Sequence, residues 1–404
     1  MLETKNVKLL CGILFSFYMH FNFISCDLIQ YNEVILEDAN LLVPDLIKKY
    51  EYPVEVHKIL TKDGFILTAH RIPKSGRQPV LMVHGLLDSS AGFVILGPKK
   101  SLAFLLSDLG YDIWLLNTRG NRYSRKHQRF HRYESEFWNF SFHELGIYDL
   151  PATIDYILSR SKGFEQLHYI GHSQGTTSFF VMGSERPKYM KKMKLMQALA
   201  PVTTWYNNGN PIARTFAKYI RPLTSLAKSF GIYELPPENE VWRRLYYNLC
   251  SFAFPNTCTY ILFELFGVNY QQFNSSLIPL FLGHAAAGSS VKSLLHYLQM
   301  VYNEGFLKYD YYEQNPRIYG SENPPQYNLA TVDCKIALHY SKNDKLTAAI
   351  DVQSLRDSLP NVVLDNLIPN ERFNHVDFIW SNDVKTMLYD YVMELMQKVD
   401  NGKV

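Results

Sequence analysis

The chain has 404 residues, of which 47% are hydrophobic, 14% aromatic and 20% charged. That many aromatic and branched residues exclude a mainly disordered state, because their burial offsets the entropy of ordering, and the length allows a large core. Forty-one basic and 38 acidic residues leave a formal charge of +3, so no basic field marks a nucleic-acid partner, and five cysteines are too few for a disulfide scaffold.

Residues 1–26 read as a signal peptide. Lys5 and Lys8 precede a mostly apolar run from Leu9 to Ser25, and Asp27 begins a polar stretch. The run is short for a membrane span of about 20 residues and is broken by His20 and Asn22. This predicts a secretory route, ending outside the cell or in the lysosomal lumen. Two sequons, at Asn139 and Asn274, fit that route as glycosylation sites. Cys250 and Cys258 lie close enough for a local disulfide in an oxidising compartment, the alternative being two buried thiols. Cys334 sits in an apolar run and reads as a buried thiol.

Past the signal, Ile35 to Lys49 has helical spacing broken by Pro44. Val54–Leu60 and Phe65–Ile72 alternate around Asp63-Gly64, a hairpin signature. Pro79–His84, Tyr111–Leu116 and His168–Gly171 are short apolar runs that suit buried strands. Leu102–Leu109, Tyr148–Ser159 and Gly175–Met182 carry helical spacing between and after them. Strands alternating with helices predict a parallel sheet with crossover helices. From Trp205 to about Tyr327 the sequence reads as helical and aromatic-rich, without a clear strand. The strand pattern resumes at Lys335–Tyr340 and Val362–Ile368, and a helix closes the chain over Val384–Val399. The expected organisation is a signal (1–26) and one α/β domain (27–203 and 329–404) interrupted by a helical cap (204–328).

The sharpest local signal is Gly171-His172-Ser173-Gln174-Gly175, a G-x-S-x-G pattern between an apolar strand and a helix. That turn lifts a serine hydroxyl to the carboxyl edge of the sheet, beside a helix N-terminus that favours developing negative charge. A serine needs a general base, and this architecture orders the partners as Ser, then acid, then His. Asp344, just past the strand ending at Tyr340, and His375, after the strand ending at Ile368, fit best. Rivals are His339, which lies within a strand, and Asp333, Asp351 and Asp365. His84 and His172 flank the site as shaping residues, and His127 and His131 share helical i,i+4 spacing without a third ligand to suggest a metal. The oxyanion would be held by the backbone N–H groups of Gln174 and of Leu86, on the loop after an early strand.

Beyond this point the chain resembles a known family. His84-Gly-Leu-Leu-Asp-Ser-Ser90, Leu109-Gly-Tyr-Asp-Ile-Trp114, Asn117-Thr-Arg-Gly-Asn121, Phe137-Trp-Asn-Phe-Ser-Phe142, Tyr148–Tyr156, Gly171–Thr177 and His375-Val-Asp-Phe-Ile-Trp380 look like segments of the neutral/acid lipases of the α/β-hydrolase fold. The resemblance covers nearly the whole mature chain. It implies an α/β-hydrolase with a mostly parallel central sheet and an inserted helical cap carrying a mobile lid. It also implies Ser173, Asp344 and His375 as triad, Leu86 and Gln174 as oxyanion donors, and no metal or organic cofactor. The substrates implied are triacylglycerols or sterol esters, met in transient contact with a lipid–water interface, with no protein partner. The Cys250–Cys258 pair matches the family's cap disulfide, and Asn274 a commonly glycosylated cap position. Departures are Ser341-Lys342-Asn343 where glycine is usual before the acid, Phe266 in place of a cap cysteine, Ala286 in place of a proline, and Asn139 in place of an aspartate. Two other functions stay open on the residues: a carboxylesterase for soluble esters, separable by chain-length preference, and a catalytically silent lipid-binding protein, against which the intact Ser, Asp and His argue.

Overall fold

The computed structural model describes residues 32–404 apart from Asn208 and residues 237–239. The signal peptide expected at 1–26, with Cys11 and Cys26, lies outside the described residues.

Among the described residues there are eleven strands: β1 (Glu55–Leu60), β2 (Phe65–Ile72), β3 (Pro79–Val83), β4 (Asp112–Asn117), β5 (Lys126–His127), β6 (Leu167–His172), β7 (Met193–Leu199), β8 (Glu234–Leu235), β9 (Ser289–Ser290), β10 (Ile336–Tyr340) and β11 (Val362–Leu367). The main sheet has nine strands in the order β1-β2-β4-β3-β6-β7-β10-β11, with β5 paired to β2. The β1–β2 hairpin turns where Asp63-Gly64 predicts, and β2 meets β4 antiparallel; from β4 to β11 all neighbours are parallel. Every parallel strand therefore points its carboxyl end to one edge, the place where such sheets bind ligands.

The central strands are apolar on both faces because both are covered. In β3, Leu81 and Val83 face one hydrophobic cluster with Ile154 and Ile157 of α4 (Leu150–Arg160) and Phe179 and Met182 of α5 (Gln174–Glu185). Val80 and Met82 face a second cluster, with Phe104 of α3 (Leu102–Asp108), Leu46 of α2 (Val43–Lys49) and Val392 of α13 (Asp390–Asp400). The period of two along the strand assigns these faces. Pro44 does not break one helix internally. It sits in the first turn of α2, where a missing N–H costs nothing, and α1 (Glu33–Asn40) ends before it.

Strand β7 is the element that the residue pattern does not announce. Met193-Lys-Leu-Met-Gln-Ala-Leu199 is composed of good helix formers. It is nevertheless a central strand between β6 and β10, so tertiary context overrides local preference.

Between β7 and β10 lie α6 (Pro211–Lys218), α7 (Ile220–Ser229), α8 (Glu240–Asn248), α9 (Pro255–Phe266), α10 (Ile278–His284) and α11 (Val291–Asn303). The region is not strand-free: β8 and β9 form a two-residue antiparallel ribbon. Arg125 pairs with Glu234 on that ribbon, and Arg122 N–H donates to the Ala287 carbonyl at 2.7 Å. α12 (Ala349–Ser358) then links β10 to β11. Among the described residues no single helix is long and apolar enough to cross a membrane.

Candidate active site

Ser173 stands between the end of β6 and the start of α5 with φ 51° and ψ −117°. A non-glycine residue in that region stores about 1–3 kcal/mol of strain, held by its surroundings. The flanking glycines are what make the turn possible. A Cβ on Gly175 would lie 2.2 Å from the Val83 carbonyl oxygen, and one on Gly171 would lie 2.9 Å from the Thr176 nitrogen. Both distances are impossible for real atoms, so β3, β6 and α5 converge only with glycine there.

Ser173 Oγ lies 2.8 Å from His375 Nε2, and His375 Nδ1 lies 2.8 Å from Asp344 Oδ2. The three groups thus form one chain, with Asp344 on the loop after β10 and His375 on the loop after β11. The second oxygen, Asp344 Oδ1, accepts the Leu346 and Thr347 N–H groups at 2.8 Å each. The carboxylate is thus fixed in rotation. With Asp344 accepting from Nδ1–H, the Nε2 lone pair faces the serine, so the array can take a proton from a hydroxyl and return it.

His84 and His172 are buried beside this chain. His84 Nδ1–H donates to the Gly85 carbonyl at 2.8 Å, and its Nε2 accepts from Thr118 N–H and Asn121 Nδ2. His172 Nε2–H donates to the His375 carbonyl at 3.1 Å. Burial lowers their pKa values to about 4 and about 3, the charge of His375 adding to the effect on His172. Both are therefore neutral shaping groups at ordinary pH. Phe266, at the end of α9, lies over His375 with ring planes 11° apart and centroids at 6.0 Å. In the sequence Phe266 stands out only as a residue in place of a cap cysteine, and no local pattern signals this contact.

The rivals are placed elsewhere. His339 is buried within the sheet, bonded to Gln197 Oε1 at 2.7 Å and Asn366 Nδ2 at 2.9 Å. Asp351 holds Asn207, Asp365 pairs with Arg356, and Asp333 is exposed. His127 and His131 share no helix. His127 belongs to β5, where Nε2–H donates to the Asp63 carbonyl and Nδ1 accepts two backbone N–H groups, so the i,i+4 reading fails. The chain bends at Gln128 and Arg129 after β5 and His131 falls in a loop, which is why the spacing misleads.

Leu86 is half-buried on the loop after β3, and Gln174 opens α5. Cys250 and Cys258 are disulfide-bonded across the α8–α9 junction, and Cys334 is a buried free thiol. Asn139 is exposed, its Oδ1 accepting from Lys292 Nζ at 3.0 Å. Asn274 is half-buried and caps a short turn through Ser276 N–H.

Residues 43–97 match a family model described as a partial alpha/beta-hydrolase lipase region, and residues 78–222 match the alpha/beta hydrolase fold. Lipase 1 of Drosophila melanogaster is 44% identical over 91% of this chain and 82% of its own. The gastric triacylglycerol lipase of Bos taurus is 38% identical over 89% of this chain and 92% of its own. The crystal structure of a bacterial membrane phospholipase A shares the fold with a TM-score of 0.53, at 12% identity over 98% of this chain and 100% of that one. The sheet, the strained serine turn and these identities lead to one conclusion: the chain belongs to the neutral/acid lipase family of α/β-hydrolase ester hydrolases.

Proposed function

We propose that this protein hydrolyses neutral lipid esters, triacylglycerols or sterol esters, through an acyl-enzyme on Ser173. The observation that carries the reading is the unbroken Ser173–His375–Asp344 chain, with both links at 2.8 Å, at the carboxyl edge of the sheet. His375 takes the Ser173 proton as Oγ bonds to the ester carbonyl carbon, then gives that proton to the alcohol as the C–O bond breaks. Water next attacks the acyl-enzyme, its proton passing to His375 and back to Ser173, and the fatty acid leaves. Asp344 keeps Nδ1 protonated and stabilises the imidazolium formed in each half.

Two backbone donors serve the oxyanion. Gln174 N–H stands in the first turn of α5, where helical N–H groups have no intrahelical acceptor. Leu86 follows Gly85, and a Cβ on Gly85 would come within 3.1 Å of Ser173 Cβ, so this loop lies directly against the nucleophile. Residues 204–328 act as the cap with its lid. Their exposed Phe216, Phe230, Phe252, Phe254 and Tyr260 suit transient contact with a lipid–water interface. The chain reaches its site by secretion, to the extracellular space or the lysosomal lumen. The Cys250–Cys258 disulfide suits that oxidising route, on which Asn139 and Asn274 carry glycans.

The test is an acyl-chain series offered as monomers and as emulsions to wild type, Ser173→Ala and His375→Ala. Rates should rise when long-chain esters pass from monomer to emulsion, and both variants should lose activity by several orders of magnitude. Activity confined to short soluble esters would overturn the lipid reading.

A further inference from the structure

Beyond Phe266 the chain leaves α9 and crosses both loops that carry the acid and the histidine. On the acid loop, Asn343 Nδ2 donates to the Val268 carbonyl at 3.0 Å and to the Arg372 carbonyl at 2.7 Å, on the histidine side. Lys345 N–H and His375 N–H both donate to the Phe266 carbonyl, at 3.3 and 3.4 Å. Asn374 Nδ2 donates to the Gly267 carbonyl at 2.8 Å. Gly267 has φ 114°, and a Cβ there would stand 2.1 Å from the Asn343 carbonyl oxygen, so only glycine permits the crossing.

The last tie is made by side chains alone. Asn269, wholly buried, donates from Nδ2 to Asp377 Oδ2 at 2.6 Å. That same Asp377 oxygen accepts Asn374 N–H at 2.8 Å, while Asn374 Oδ1 accepts the N–H groups of Val376 and Asp377. His375 therefore sits inside a turn closed from both sides. Its N–H is held by Phe266 and its carbonyl by His172, and its two ring nitrogens meet Asp344 and Ser173. No polar atom of His375 is left free to drift.

We propose that cap residues Phe266–Asn269 are part of the catalytic apparatus, with Asn269 acting through Asp377 to position His375 against Ser173. The proposal rests on the serine-hydrolase reading above. Neither Asn269 nor Asp377 touches the reacting atoms; both are positioning residues. The physical reason is steep geometry, since a displacement of about 1 Å between reacting groups costs on the order of a hundredfold in rate.

The Asn269–Asp377 tie also carries a signature that simple packing lacks. Burial, with the charge of Asp344 adding, raises the Asp377 pKa to about 7. The charged group that acts on it is Asp344, while Asn269 and Asn374, which also face it, are uncharged. An Asn269→Asp substitution places a second carboxyl at this contact. The two oxygens can then stay together only while they share a proton, and like charges part them once both ionise.

The experiment measures kcat and KM for a short soluble ester, and the rate of phosphonate inactivation, at temperatures well below unfolding. Asn269→Ala should lower kcat and the phosphonate rate about tenfold or more, with KM nearly unchanged. Asn269→Asp should keep most of the wild-type kcat below pH ~7 and lose about tenfold above it. Tyr111→Phe, which removes a 2.6 Å bond to Asp400 at the opposite edge of the sheet, should lower Tm and leave kcat alone. Wild-type kcat in both Asn269 variants at every pH, with only Tm reduced, would overturn the positioning role. A wild-type protein that does not react with phosphonate would overturn the hydrolase reading itself, and the positioning role with it.

Discussion

In the core, Trp114, Tyr169, Phe179 and Phe180 are wholly buried between sheet and helices; in the proposed cap, between β7 and β10, Phe216, Phe230, Phe252, Phe254 and Tyr260 are 45–71% exposed. The same residue types thus serve opposite ends. Core rings lose all their water and hold the sheet in shape, whereas cap rings keep apolar area available for something outside the chain. The division is not a clean cut between elements. Phe263, on the same helix as Tyr260, is buried against Tyr270 and Phe273, and Phe266 lies over His375. α9 therefore carries exposed and buried rings within two turns, and its last residue reaches the site. Stability and interfacial behaviour should respond separately to substitutions in the two regions.

The largest separation should come from paired truncations. Trp114→Ala in the core should cost about 3–5 kcal/mol in denaturant unfolding, by cavity and lost transfer energy. Phe254→Ser and Tyr260→Ser together should change stability by less than about 1 kcal/mol, since neither ring is buried. The same double variant should retain turnover of a monomeric ester but lose rate on an emulsion. Equal losses on both substrates would show that the exposed rings have no separate role at an interface.

A smaller effect is expected at the cap disulfide. Cys250 and Cys258 close a loop of eight positions, so replacing both by Ser should cost about 2–3 kcal/mol through the freed unfolded chain. Hydrogen exchange should localise the change to α8 and α9. Faster exchange in the core strands would mean that cap and core unfold as one unit.

The smallest effect is on the pH dependence of stability. His70, His84, His172 and His339 are buried with pKa values lowered to about 3, 4, 3 and 3. The unfolded chain takes up these protons first, so stability drains as pH falls from ~6.5 toward 3. Asp88, Asp149 and Asp377 are raised to about 7, 6 and 7, mainly by burial. Their sign is opposite: the folded state is favoured when they are protonated, a contribution lost as pH rises from ~4 through 7. The two sets compensate between pH ~4 and ~6.5, while below ~4 only the histidines still act. Tm should hold nearly level in the middle range and drop steeply below it. His339→Gln should soften that drop.

Much of the core was legible because its signals are local. The Asp63-Gly64 hairpin, the apolar runs of β3, β4, β6 and β10, and the glycine-flanked Ser173 each state their role within a few residues. Asp344 and His375 are picked out by their order and by the strands that precede them, and in the structure both lie in one hydrogen-bonded chain with Ser173. What stayed hidden depends on distant contacts. β7 is written in helix formers and becomes a strand because β6 and β10 flank it. Asn343 reads only as a departure from glycine until its carboxamide is seen bridging Val268 and Arg372. Phe266 and Asn269 lie more than one hundred positions from His375 in sequence, and no periodicity links them. The i,i+4 spacing of His127 and His131 shows the reverse error, a local pattern without the helix it suggests.

Ser173 is proposed as the nucleophile of a lipid ester hydrolase. The most direct test is to treat the purified protein with a long-chain alkyl phosphonate and to map the modified peptide by mass spectrometry. One adduct is expected, on Ser173, formed as activity is lost, and none in Ser173→Ala. An adduct that persists in Ser173→Ala, or full activity after Ser173 is modified, would contradict it.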